Sequence, residues 1–117
     1  MGRLTTHVLD TSLGKPAAGM RLALFRLRDS GRAPICEAKT NADGRCDAPL
    51  LEGDQFLRGE YELVFQAGHY FAALRVPMTE PPFLGEVVLR FGIGDIAQHY
   101  HVPLLISPWS YATYRGS

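Results

Sequence analysis

The sequence predicts an all-β sandwich of seven to eight strands with one short helix. Three observations carry that expectation. Short runs alternate apolar and polar residues at the period of two that gives a strand one buried face. Gly, Pro, Asn and Asp punctuate those runs at fairly regular intervals. Only one stretch, 68–74, reads as a helix, and no internal repeat or low-complexity tract interrupts the pattern.

The elements follow in order. Residues 4–11 (LTTHVLDT) alternate, with Leu4, Thr6 and Val8 on one face and Thr5, His7 and Leu9 on the other. Residues 10–19 (DTSLGKPAAG) are turn-rich. Residues 20–27 form a second strand, apolar on both faces and therefore expected in a central position. Asp29, Ser30 and Gly31 make a turn, and 33–40 a third, weaker strand. Asn41-Ala42-Asp43-Gly44 is a tight turn, since Asp-Gly readily supplies the positive φ it needs. Arg45 emerges directly from it. Residues 50–58 form a loop or short strand, and 60–66 (EYELVFQ) a clean strand with Tyr61, Leu63 and Phe65 inward. Pro77, Pro81 and Pro82 make a loop after the helix. Residues 85–91 (GEVVLRF) form a strand, and 92–95 a turn.

The tail, His99 to Ser117 (HYHVPLLISPWSYATYRGS), carries most of the unusual features. Val102, Leu104 and Ile106 are expected on the core face of a strand, with His101, Pro103 and Leu105 opposite. Ser107-Pro108 breaks it, and 109–114 form a last strand. Chain ends usually tolerate change, yet this one holds aromatics and an Arg up to its last residues.

The totals exclude several classes. The 117 residues fit a single domain, 1–117, that can bury a core without staples. Twelve basic and twelve acidic residues cancel, so no electrostatic footprint for nucleic acid or an anionic membrane exists. No apolar run approaches the ~18 residues of a membrane span, and the N-terminus has no secretory core, so the chain is expected to be cytoplasmic. Cys36 and Cys46 sit in no metal-type cluster and read as reduced thiols.

Standard catalytic motifs are missing: no GxSxG, phosphate loop, HExxH or CxxC occurs. Four histidines remain. His7 reads either as a surface residue or as an acid/base group facing a shared cavity. His99 and His101 form an HxH that could bind zinc with His7 as a third ligand, if the first strand and the tail strand are neighbours. No carboxylate or thiolate accompanies them on that strand, so no metal is assigned. His69 is expected at the surface of the helix. Arg45 is either a solvated residue or a clamp for a conjugated oxyanion.

Three stretches carry a family resemblance. The opening Leu4-Thr5-Thr6-His7-Val8-Leu9-Asp10 with Gly14-Lys15-Pro16-Ala17, the central Thr40-Asn41-Ala42-Asp43-Gly44-Arg45, and the ending Tyr114-Arg115-Gly116-Ser117 together resemble the 5-hydroxyisourate hydrolases. These are transthyretin-like proteins of purine catabolism. The match runs over nearly the whole chain in the right order, and transthyretin itself lacks the YRGS ending. The resemblance implies a prealbumin-type sandwich, assembled as a homotetramer from two dimers with active sites in the channel between them. It implies His7, Arg45 and His101 as catalytic residues, Tyr114, Arg115, Gly116 and Ser117 as substrate-binding residues, and at most a supporting role for His99. It implies a small-molecule substrate and no cofactor, metal, nucleic acid or membrane. The strand faces agree with an assembly, because a lone subunit is expected to leave Thr5, Leu9, Pro103 and Leu105 uncovered beside the two histidines.

The expected chemistry is metal-free hydrolytic opening of an oxidised purine ring. The pair His7 and His101 would activate a water, and Arg45 would hold the developing oxyanion. The competing class is a non-catalytic carrier of a flat aromatic ligand in the inter-dimer channel.

Overall fold

Strand β1, Leu4–Asp10, organises one of two four-stranded sheets. Its burial alternates strictly, with Leu4, Thr6, Val8 and Asp10 buried and Thr5, His7 and Leu9 half-buried on the other face. Beside it in the same sheet lie β2 (Lys15–Pro16) and, from the tail, β7 (Tyr100–Ile106) and β8 (Tyr111–Thr113), in the order β2-β1-β7-β8. The second sheet has the order β4-β3-β5-β6, built from β3 (Arg21–Arg28), β4 (Gly31–Lys39), β5 (Gly59–Gln66) and β6 (Glu86–Ile93). One helix, α1 (Ala67–Ala73), follows β5. These are the elements of an all-β prealbumin-like sandwich, seen here in a computed structural model that describes residues 2–116.

The core lies where the inner faces meet. Val8, Leu104 and Ile106 from the first sheet pack toward Leu24, Tyr61, Leu63 and Phe65 from the second, all fully buried. Burying such side chains stabilises the fold by about 1.5–3 kcal/mol each. Asp10 is buried at the end of β1, where the Tyr70 hydroxyl donates to its Oδ2 at 2.8 Å and the Ser12 and Leu13 amides donate to its Oδ1. Burial and that carboxylate push the Tyr70 phenol well above its ordinary range. The bond ties the helix to the first sheet.

The sequence reading and the fold differ in four places. The segment 10–19 is not all turn, because Leu9 and Asp10 pair antiparallel with Pro16 and Lys15. Strand β6 runs on to Ile93 through the expected turn, since Gly59 and Glu60 of β5 continue the ladder opposite Ile93 and Gly92. The last strand is only three residues long, 111–113, because Ser107 closes a turn on Ser110. Pro103 is buried rather than uncovered, as β7 lies between β1 and β8 and Pro103 faces His7 across the ladder. The expected central position of β3 and the inward set Tyr61, Leu63 and Phe65 agree with the structure.

One pairing positions everything functional. Strands β1 and β7 run parallel, with Thr5 opposite His101 and His7 opposite Pro103. The first strand and the tail strand are therefore neighbours, although 96 residues separate Thr5 from His101.

Candidate active site

His7 reaches the outer side of the sheet because β1 alternates, and a tight turn then grips it. Asn41 Oδ1 accepts from the amides of Asp43 and Arg45 and shapes that turn. Gly44 takes φ +75°, and a Cβ there would collide with the Val8 carbonyl and crowd Pro16 and the His7 ring. The Val8 amide donates to the Gly44 carbonyl at 2.8 Å, and Arg45 bridges His7 across the strands. The His7 ring donates from Nε2 to the Asp43 carbonyl at 2.9 Å. A carbonyl oxygen only accepts, so Nε2 carries a hydrogen.

His101 is held on two sides. Its Nδ1 lies 2.8 Å from the Thr5 hydroxyl, the residue directly opposite it in the ladder. Gly116 pairs with it from the other side, donating its amide to the His101 carbonyl at 2.7 Å. Burial lowers the His101 pKa below its ordinary 6.5, and the nearby charges of Arg45 and then His7 push it the same way. The imidazole is therefore mostly neutral at pH 7.

A cavity of about 540 Å³ opens over this region, lined by Thr5, Arg45, His99 and His101 and by Arg3 and Asp47 at its margins. Arg45 is exposed and free to point its guanidinium at an anionic oxygen. His7 does not line this cavity; it sits beside it beneath the 43–45 turn. His99 is exposed just before β7 and shares the cavity with His101. His69 is exposed on α1, as expected, and does not line this cavity. Among the described residues no group of three His, Cys, Asp or Glu side chains is placed to hold a metal.

The ending divides between two surfaces. Gly116 belongs to the His101 site. Tyr114 and Arg115 instead line a second hollow, of about 420 Å³, with Val88, Phe91 and Tyr111 of the sheet edges. Arg115 donates to Gln98 Oε1 at 2.8 Å and to the His99 carbonyl at 3.1 Å, and its guanidinium lies 4.0 Å over the Tyr100 ring. Ser117 lies outside the described residues. Thr5 and the Asp43 carbonyl were not singled out by the sequence reading. The available signal for Thr5 was its place on the His7 face of β1, which counts only once β7 is known to be the neighbour.

This fold, with an imidazole pair and a guanidinium gathered on one side of a sheet, defines a transthyretin-like protein. The chain belongs to the HIUase/Transthyretin family, whose model matches residues 4–116. It is 60% identical over 116 residues to the 5-hydroxyisourate hydrolase of Mesorhizobium japonicum, covering 99% of this chain and 93% of that protein. Among solved structures, (S)-allantoin synthase superposes with a TM-score of 0.93 at 49% identity, covering 99% of this chain, which spans only 44% of that longer one. Sea bream transthyretin in complex with thyroxine superposes with a TM-score of 0.87 at 27% identity over 97% of this chain and 94% of that one.

Proposed function

We propose that this chain hydrolyses 5-hydroxyisourate, opening its ring to 2-oxo-4-hydroxy-4-carboxy-5-ureidoimidazoline, as the name of its Mesorhizobium relative suggests. The observation that carries the reading is the placement of His101 and Arg45 on one cavity, with His7 on the adjoining strand. A small, flat, oxidised purine fits a hollow of this size, and its ring carbonyl offers an oxygen to a guanidinium. In the proposed reaction His7 and His101 activate a water, which attacks that carbonyl carbon. Arg45 stabilises the oxyanion that develops. The ring C–N bond then breaks, and the departing nitrogen takes up a proton. The mechanism calls on no metal or cofactor.

The same reading has the chain assemble as a homotetramer. The hollow between the sheet edges exposes Val88, Tyr111 and Tyr114 at 40%, 46% and 60%, a surface that a second copy would cover. Within one subunit Tyr114 and Arg115 face away from His101, so their role in binding substrate depends on that assembly. Gly116 and Ser117 complete the set of tail residues assigned to the substrate, with His99 in support.

An ultraviolet time course tests the activity. Urate is oxidised to 5-hydroxyisourate in the cuvette, and its decay is followed with and without the protein, chelator present. Fast decay that survives chelation is expected. Decay at the spontaneous rate overturns the hydrolase and favours a carrier, the reading suggested by the likeness to a thyroxine-bound transthyretin.

A further inference from the structure

The two imidazoles are gripped through opposite nitrogens. His7 gives Nε2–H to the Asp43 carbonyl, and its ring edge at Cδ2 rests against Gly44. That leaves Nδ1 without a hydrogen-bond partner among the described residues. His101 is gripped the other way: Thr5 Oγ1 holds Nδ1 at 2.8 Å, and Gly116 covers Cδ2. Nδ1 and Cδ2 are the two shoulders of the ring, so the Nε2–Cε1 end is what remains to face the cavity that His101 lines. Nε2 has no protein partner among the described residues.

The Thr5 hydroxyl has one hydrogen to give and, among the described residues, one partner, Nδ1 of His101. If it accepted from Nδ1 instead, that hydrogen would have no protein acceptor. Donation from Thr5 makes Nδ1 the acceptor and puts the ring hydrogen of the neutral imidazole on Nε2. The bond holding one ring nitrogen fixes what the other can do.

We infer that Thr5 is a positioning residue that locks His101 as an Nε2–H donor toward the cavity, while the Asp43 carbonyl leaves Nδ1 of His7 as the acceptor, so that His7 is the base that carries the proton and His101 a neutral hydrogen-bond donor. This rests on the hydrolase reading for its chemistry. His7 Nδ1 takes the proton of the attacking water as the oxygen–carbon bond forms. His101 keeps its Nε2–H and gives a hydrogen bond to the carbonyl oxygen as that becomes an oxyanion, and the His7 imidazolium hands its Nδ1 proton to the departing ring nitrogen as the carbon–nitrogen bond breaks. Both rings end as they began, and no reactant other than the water is consumed. Thr5 touches no reacting atom; it acts through the imidazole it orients.

The test reads tautomers first and rates second. Long-range 15N–1H correlation spectra of the uniformly 15N-labelled wild-type protein at pH 8 are expected to show hydrogen on Nε2 of both His7 and His101. Hydrogen on Nδ1 of His101 overturns the inference, whatever the activity. Thr5→Val keeps the β-branched shape that suits a strand and removes only the hydroxyl. It is expected to lose the Nε2–H preference of His101 and to lower kcat about tenfold with little change in KM, the worth of one orienting hydrogen bond. Thr5→Ser is expected to restore both tautomer and rate. A Thr5→Val protein with unchanged tautomer and unchanged kcat overturns the role of Thr5. If the wild type does not hydrolyse 5-hydroxyisourate, the hydrolase reading fails, and the spectra still decide the tautomers.

Discussion

Gly116 lies across the imidazole of His101. A Cβ built on Gly116 would come within 2.7 Å of Cδ2 and 3.4 Å of Cγ, while its amide donates to the His101 carbonyl at 2.7 Å. The tail therefore packs against the ring so closely that no side chain fits between them. Gly116→Ala is expected to displace the imidazole and lower kcat about 100-fold, since a shift of around 1 Å in a reacting group costs on that order. Steady-state kinetics beside a circular dichroism melt checks this; a large loss of folding with intact turnover per folded molecule would refute it.

A related outcome concerns fusions. The Gly116–His101 bridge needs the tail in place, so a bulky tag after Ser117 is expected to reduce kcat far more than the same tag before Met1. Assaying both tagged proteins before and after proteolytic removal of the tag gives the comparison.

The part proposed for His101 carries a pH dependence. Burial, then Arg45, then His7 hold its pKa below 6.5, so its neutral form persists into more acid solution than that of a free imidazole. The limb of the rate profile assigned to His101 is expected to lie below 6.5 and to move upward in Arg45→Gln, which removes one of the depressing charges. His101→Asn is expected to lower kcat by about 10²–10³, the usual worth of one donor to a developing oxyanion. The rate profiles of the three proteins decide it.

Glu62 supplies a prediction about stability alone. It is buried on the outer face of β5, where Arg90 donates to Oε2 from Nη2 at 2.9 Å and from Nε at 3.1 Å, and Arg32 reaches Oε1 at 3.3 Å. These bonds, Arg90 first, hold the carboxyl below its ordinary 4.5 despite its burial. A depressed carboxyl stabilises the fold above the unfolded value and loses that contribution as pH falls through the folded one. Both arginines are partly solvated, so Glu62→Gln is expected to cost about 1–2 kcal/mol at pH 7. The deficit should shrink below pH 4.5, which urea titrations at the two pH values would show.

Much of this architecture was legible because alternation is a local signal. The faces of β1 and β5 and the centrality of β3 could be read from side-chain order alone. Arg45 was visible as a residue thrown out by an Asp-Gly turn, and His101 as a histidine on the far side of a core strand. What stayed hidden is pairing. A strand does not state its partner, so neither the Thr5–His101 bond nor the β2 pairing at Pro16 could be derived. Pro103 looked uncovered for the same reason, since its burial comes from neighbours on both sides. The division of the tail between two hollows also depends on Arg115 finding Gln98 and Tyr100, contacts that no periodicity encodes.

The parallel β1–β7 pairing has a temporal consequence. Thr5 meets His101 only after 96 further residues have been synthesised, roughly 5–20 s of translation at the usual pace. Until then the β7 edge of β1 has no partner, although β2 and the 44–51 segment can already pair with the strand. The antiparallel β3–β5 neighbourhood can close earlier, because its partners are nearer along the chain. The two imidazoles can come together only once β7 has been made, and a nascent chain stalled before β7 can hold a substantial sheet while lacking His101 altogether.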